Sequence, residues 1–487
     1  MSTKLSKVVV ILALPSKRRT SALNLSRQLA RNPNTGVVVL SFLHSDTLYF
    51  EKNCSANVDI VEVKDPYEHD QSIENLKMIG VKVLQKRSVL QASRMLLSKF
   101  AYNYLIPRFS LGLFENLVEQ KVLYKILYKS ELLEKIIGDI VGTEKRNVVL
   151  ITEGDRGMDI EQPLLLVKKR NHNFRYVVCE IADSATEIDL SKYPQVRRKR
   201  FTLNSYRRLS QKRFSSSVYG NGYYYSHSTS NALSKLEISS DFPWRIGLSS
   251  GVDLVLLRND ESLDSMRRLN LDVSKFTVAG DVNFDCIFES WKLNQTPVLK
   301  EKENKTLVVA LPNWLESPRE FSKRNYRKIQ PYLEILFSTL SENFESIRVV
   351  LHPKQTEARY EFLRKFPNVT LSNDSIYNEI VTGDVFCTTY SSTLNYAHVL
   401  EMPTLVLLPN FWSHTTDYAN KIQPKKWSII VNRPTAISNE TLRNFYRTAN
   451  AYFRSSEFIG SPEKANFDGK YAERLMSQID SLFHSSK

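Results

Sequence analysis

Short apolar runs rich in β-branched residues recur along this chain, each followed by a loop and an amphipathic stretch, and the whole series occurs twice. Residues 8–14, 37–42 and 58–63 form the first such runs. Continuous branched apolar residues, without alternating polarity, are how a strand covered on both faces reads. Between the first two, Ala22, Leu23, Leu25 and Leu29 stand at helical spacing within 21–31. A long helical stretch from 72 to 142 follows, then strands at 148–152, 176–180, 252–257 and 276–279, with helices over 164–170 and 261–270. A charged linker at 299–305 precedes a second series, with strands at 306–311, 346–351, 385–388 and 404–408 and helices over 326–342, 356–365 and 393–400. Further helices are expected near 439–453 and 469–483. Strands that alternate with helices build parallel sheets with helices on both faces. The expected fold is therefore α/β: two Rossmann-like doubly wound lobes facing a cleft. The first spans 1–298 and carries helical and basic insertions, the second spans 306–435, and C-terminal helices at 436–487 pack back across the lobes.

The length of 487 residues leaves room for two such lobes, since one domain takes roughly 150 residues. With 42 % apolar and 24 % charged residues, disordered, collagen-like and coiled-coil architectures are excluded. Cys54, Cys179, Cys286 and Cys387 lie far apart, without zinc-ligand spacing, and fit a reducing compartment. The apolar run at 8–14 is followed by Pro15, Ser16, Lys17, Arg18 and Arg19 in place of a small-residue cleavage site, so a strand is expected there rather than a signal segment. No run reaches the roughly 18–20 apolar residues of a membrane span. A cytoplasmic protein is expected, one able to sit peripherally at the inner face of a membrane.

The net charge of +15 favours polyanionic partners. It is densest between Lys192 and Arg213, where Arg197, Arg198 and Arg200 stand among Tyr193, Phe201 and Tyr206 without an acidic residue. Such a run is either a solvated face or a docking surface for an acidic acceptor or anionic lipid. Basic residues interleaved with aromatics also suit single-stranded nucleic acid, but no nucleic-acid module accompanies them, and a nucleic-acid partner is the weaker reading.

In an open parallel sheet, ligands bind beyond the carboxyl ends of the strands. In the second lobe that rule selects His352 and Pro353 after one strand, and Ser391, Ser392 and Thr393 after another, where a helix begins. Hydroxyls and free backbone N–H groups at such a turn suit phosphate, although each hydroxyl could equally be a helix cap. In the first lobe the rule selects Glu153, Gly154, Asp155, Arg156 and Gly157.

These residues resemble the GT-B superfamily of nucleotide-sugar glycosyltransferases and, in layout, the UDP-N-acetylglucosamine 2-epimerases. Residues 278–285, Val-Ala-Gly-Asp-Val-Asn-Phe-Asp, are similar to the V-T-G-N-P-x-x-D ending of that superfamily's first lobe. His352-Pro353 and Ser391-Ser392-Thr393 resemble the donor half of bacterial sialyl-, Kdo- and glycerophosphate-type capsule transferases, which use both motifs on the nucleotide phosphate. Glu153-Gly154-Asp155 is a permuted match to the acidic motif of their first lobe. Against the epimerases, Val178-Cys179 replaces a histidine before Glu180, and Asn395 and Tyr396 stand where paired glutamates hold the ribose.

The resemblance implies a glycosyltransferase that moves a sugar from a nucleotide-activated donor to a surface glycan or glycolipid. No D-x-D motif occurs, so no metal and no cofactor beyond the donor is expected. His352 and the hydroxyl turn would then stabilise the leaving phosphate. Asp155 or Glu153 would remove the acceptor proton. The alternatives are an epimerase-like sugar-nucleotide enzyme and a non-catalytic binding protein for glycan or nucleic acid.

Overall fold

Strand β1 (Lys7–Leu12) pairs in parallel with β2 (Thr35–Ser41) on one side and with β4 (Asn147–Thr152) on the other. Around it the sheet runs β3-β2-β1-β4-β5-β8-β9, with β3 (Val58–Glu62), β5 (Phe174–Cys179), β8 (Leu254–Leu257) and β9 (Phe276–Val278). A two-residue hairpin, β6 (Val218–Tyr219) and β7 (Gly222–Tyr223), stands apart from it. Helices α1 (Arg19–Leu29), α2 (His44–Asn53), α3 (Ile106–Val141), α4 (Glu161–Arg170) and α5 (Asp260–Arg268) fall between the strands. Val148, Val149, Leu150 and Ile151 of β4 are all buried, which is why the run carries no polar alternation. Helix α4 has Glu161 in its first turn and Lys168, Lys169 and Arg170 in its last, the arrangement the helix dipole favours.

The computed structural model describes residues 7–12, 19–63, 106–141, 147–154, 160–170, 174–180, 218–219, 222–223, 232–238, 249–268, 272–293, 305–312, 314–315, 327–352, 355–389, 393–409, 411 and 425–484. They fall in two units. Unit 1 comprises Met1–Leu256, Glu261–Thr277 and Ile479–Lys487, and unit 2 comprises Leu257–Asp260 and Val278–Gln478.

Unit 2 holds a six-stranded sheet in the order β12-β11-β10-β13-β14-β15. Its strands are β10 (Thr306–Ala310), β11 (Ser346–Val350), β12 (Val369–Ser372), β13 (Val385–Thr388), β14 (Thr404–Leu407) and β15 (Ser428–Val431), every neighbouring pair parallel. Its longer helices are α6 (Phe284–Leu293), α7 (Ile329–Asn343) and α9 (Asn439–Phe453), with the short α8 (Leu394–Val399) after β13; α10 (Tyr471–His484) begins in unit 2, and its residues from Ile479 on belong to unit 1. Successive residues of a strand serve opposite cores. Leu307 and Val309 of β10, with Val385 and Cys387 of β13, pack with α7 and α9; Val308 and Phe386 pack with Phe284, Ile287 and Tyr396 of the other core. Helix α7 reaches its core through Ile329, Leu333, Leu336, Phe337 and Leu340, each such side chain contributing about 1.5–3 kcal/mol on burial.

Residues 278–285, the motif similar to the superfamily's first-lobe ending, have a definite task here. Asp285 caps α10: its two carboxylate oxygens accept from the backbone N–H groups of Tyr471 (2.9 Å) and Ala472 (3.1 Å). Burial raises the Asp285 pKa, and those two N–H donors oppose the rise. Gly280 takes φ +96, a left-handed conformation that glycine adopts without a Cβ penalty. Arg474 donates to the Ala279 carbonyl (2.8 Å) and to Asp468.

Strands β6, β7, β12 and β15 and helix α6 are not among the elements expected from the sequence, and one expected helix changes character. Residues 356–365 form two 3-10 turns, Glu357–Arg359 and Glu361–Lys365. Tyr360 divides them at φ −110, ψ 5, with its ring wholly buried, and Pro367 disfavours α conformation at Phe366.

Candidate functional site

In the numbering of its own strands, unit 2 has the order 3-2-1-4-5-6. The chain moves outward from β10 through β11 to β12, then returns to β13 and leaves in the other direction. The crevice between the carboxyl ends of β10 and β13 is thus the topological switch point, where doubly wound sheets take ligands. Thr388 closes its floor, donating its hydroxyl to the Ala310 carbonyl across the two strands (3.0 Å). Thr388 and Thr389 are both buried.

Three chain segments emerge at this edge. After β10 comes Leu311, Pro312 and the buried pair Trp314 and Leu315. Two residues past β11 comes His352, which is exposed. After β13 the chain reaches Thr393, a half-buried residue that precedes α8 and makes no side-chain cap hydrogen bond to it. The capping explanation of Thr393 therefore does not hold in this structure. Helix α8 has six residues, under two turns, so its dipole is short and the local donors count for more. Pro353, Ser391 and Ser392 lie outside the described residues.

The segments after β10 and β11 are tied together by side chains that sequence reasoning did not select. Gln355 accepts from the His352 N–H through Oε1 and donates through Nε2 to the Pro312 carbonyl (2.8 Å) and the Tyr360 hydroxyl (2.7 Å). Arg359 donates to the Leu315 carbonyl. Neither spacing nor composition marks a glutamine at this position.

Unit 1 repeats the order 3-2-1-4-5 around β1, and β4 delivers Thr152, Glu153 and Gly154 to its carboxyl edge. Tyr176 donates its hydroxyl to the Gly154 carbonyl (2.8 Å) and lies 2.9 Å from the Thr152 hydroxyl. A Cβ on Gly154 would come within 3.0 Å of Glu161 Oε1. A side chain there would require the Glu161 carboxylate to shift by a few tenths of an ångström. Glu153 and Glu161 are buried, at 7 % and 5 % exposure. Asp155, Arg156 and Gly157 lie outside the described residues, as do Arg197, Arg198 and Arg200. Glu180, at the end of β5, is 1 % exposed and accepts from the Ser262 hydroxyl (3.3 Å).

A cavity of about 390 Å³ in unit 1, lined by Lys168, Lys169, Arg175, Ser249 and Asp253, opens at the amino ends of β5 and β8, away from the ligand edge. Asp253 already engages Lys168 at 3.0 Å and Arg175 at 3.5 Å there.

Tyr396 is 3 % exposed and accepts from Asn283 Nδ2 (3.3 Å), which also donates to Asp281, itself paired with Arg258 at 2.6 Å. Burial, with Asp281 nearby, raises the Tyr396 pKa well above the usual phenol value.

No family model and no curated protein sequence matches the chain. Among solved structures, the wall teichoic acid polymerase TagF aligns at a TM-score of 0.50 and 10 % identity, covering 99 % of this chain and 90 % of TagF. The calicheamicin glycosyltransferase CalG4 aligns at 0.48 and 10 % identity, over 99 % of both chains. A UDP-N-acetylglucosamine 2-epimerase from Rickettsia bellii aligns at 0.45 and 10 %, over 98 % of this chain and 96 % of that one. The fold is of the GT-B type, with two Rossmann-like doubly wound units.

Proposed function

We propose that this protein is a glycosyltransferase that takes its sugar from a nucleotide-activated donor bound by unit 2. The observation that carries the reading is the placement of His352, after β11, and of Thr389 and Thr393, after β13, at the same carboxyl edge, on either side of β10. In the proposed reaction His352, Ser391, Ser392 and Thr393 hold the donor phosphate and stabilise charge on the leaving group. Asp155 takes the proton of the acceptor hydroxyl, which then attacks the anomeric carbon as the nucleotide departs. Glu153 is the second candidate for that proton, and its burial makes Asp155 the stronger. The acceptor is a surface glycan or glycolipid, approached from an anionic membrane surface at the inner leaflet. No metal and no cofactor takes part.

Buried Tyr396 speaks against the epimerase alternative, because an epimerase-like ribose site would need an open polar group there. Among the described residues, no helix is long and apolar enough to cross a membrane.

The test is nucleotide binding. A thermal-shift panel with CMP, CDP, UDP and GDP identifies the base, since a ligand that binds only the native state raises its melting temperature. CDP is the first probe, because TagF has been solved after a CDPG soak. Alanine at His352 is expected to cost about 1.5–3 kcal/mol of nucleotide affinity, the range for a charge-assisted hydrogen bond. Unchanged affinity in both His352→Ala and Ser392→Ala rejects the assignment. Nucleotide binding without sugar transfer to any acceptor would favour a non-catalytic binding protein.

A further inference from the structure

We propose that Gln355 is the positioning residue of the donor site: one side-chain amide that sets His352 for the phosphate and locks the loop after β10 beside it. This rests on the reading of His352 as a phosphate ligand. His352 is exposed, and its backbone is anchored by hydrogen bonds. Gln355 supplies the anchor at both ends of that residue. Its own N–H donates to the His352 carbonyl (2.7 Å), and its Oε1 accepts from the His352 N–H.

The other end of the same amide faces away from His352. Its two N–H bonds go to the Pro312 carbonyl (2.8 Å) and to the hydroxyl of the fully buried Tyr360 (2.7 Å). Both Nε2 hydrogens and the oxygen are thus committed, and the amide plane can take one orientation only. Tyr360 fixes the amide from the core, the amide fixes His352, and Pro312 is drawn to the same point. Arg359 adds a second tie between these loops, through the Leu315 carbonyl. The donor therefore meets a histidine and a β10 loop whose relative position is set before it binds. Affinity rises when such ordering precedes binding.

A double-mutant cycle tests the idea. Gln355→Met keeps the length of the side chain and removes its three polar contacts. Affinity is measured by calorimetry for whichever of CMP, CDP, UDP and GDP binds the wild-type protein most tightly. Gln355→Met is expected to weaken it about tenfold, the worth of one or two net hydrogen bonds. In the His352→Ala background the same change should weaken it less than about twofold, because the group being positioned is gone. Tyr360→Phe deletes only the hydroxyl that receives Gln355, leaves the core filled, and is expected to give about a threefold loss with the same dependence on His352. Equal losses in both backgrounds, or none in the wild-type background, overturn the positioning role while leaving His352 as a ligand. If His352→Ala changes nothing, the phosphate reading fails and the role of Gln355 through it fails too. Binding of none of the four nucleotides rejects both.

Discussion

Acid should loosen unit 2 through His398, and the size of the effect can be worked from its surroundings. The imidazole lies in α8, a few residues past Thr393, and is 8 % exposed. It stacks on Trp427 at 4.8 Å, meets the edge of Phe458 at 5.2 Å, and its Nε2 is 3.0 Å from the Tyr452 hydroxyl. Burial, then the positive charges of Lys425 and Lys464, push its pKa down from 6.5 to about 4. An unfolded His398 takes a proton below about pH 6.5 and the folded one only below about 4, so between them the unfolded chain binds the extra proton. Stability is therefore full above pH 6.5 and falls as the pH drops through that window. Each unit costs about 1.4 kcal/mol, giving about 2 kcal/mol at pH 5 and about 3 at pH 4. His398→Phe keeps the stacking and has no proton to gain. Urea unfolding of both proteins, followed by tryptophan fluorescence at pH 7, 6 and 5, cancels the carboxylates they share. The stability difference should move by about 2 kcal/mol in favour of the variant between pH 7 and pH 5. A difference that does not change with pH refutes the reasoning, because it would mean that the ring gains a proton at no cost.

Two further outcomes follow from the proposed chemistry. Asp155→Asn should lower turnover roughly 10²–10⁴-fold with donor affinity and melting temperature intact, whereas Glu153→Gln should mainly lower the melting temperature; normal turnover in both places the base elsewhere. Replacing Arg197, Arg198 and Arg200 by Gln should reduce sedimentation with anionic liposomes, at about 1 kcal/mol per charge, and the difference should shrink at high salt; a wild-type protein that ignores such liposomes at low salt rejects the membrane surface.

The sheets were legible in the sequence because their strands are buried on both faces. Residues such as 148–151 or 307–309 have no polar alternation, and only a covered parallel strand tolerates that. The short edge strand β12 lacks this signal, since half of Val369–Ser372 is polar; β15, Ser428–Val431, carries only three branched residues, and its middle pair is half-buried. Helix α6 carries an apolar stripe at Phe284, Ile287, Phe288 and Trp291, but it begins inside the 278–285 motif, whose Gly280 and Asp281 read as a loop. At the candidate site, His352 and Glu153 could be placed from strand ends alone. Gln355, Arg359 and Tyr176 could not, because their roles depend on a partner carbonyl or hydroxyl brought close only by the fold. The 3-10 turns around Tyr360 show the same limit, since a helical spacing of apolar residues says nothing of a tyrosine drawn inward to meet Gln355.

The Asp285 cap has a consequence for how the chain is made. Its partners, Tyr471 and Ala472, stand 186 and 187 positions later. Until they emerge from the ribosome, a carboxylate placed for burial faces no donors. Ile479–Lys487, meanwhile, belong to unit 1, whose first strand was synthesised more than 450 residues before. Each unit thus waits on the same late stretch of polypeptide, and neither closes in the order in which it is translated. Nascent chains stalled ahead of α10 should therefore be more open to protease than the finished chain.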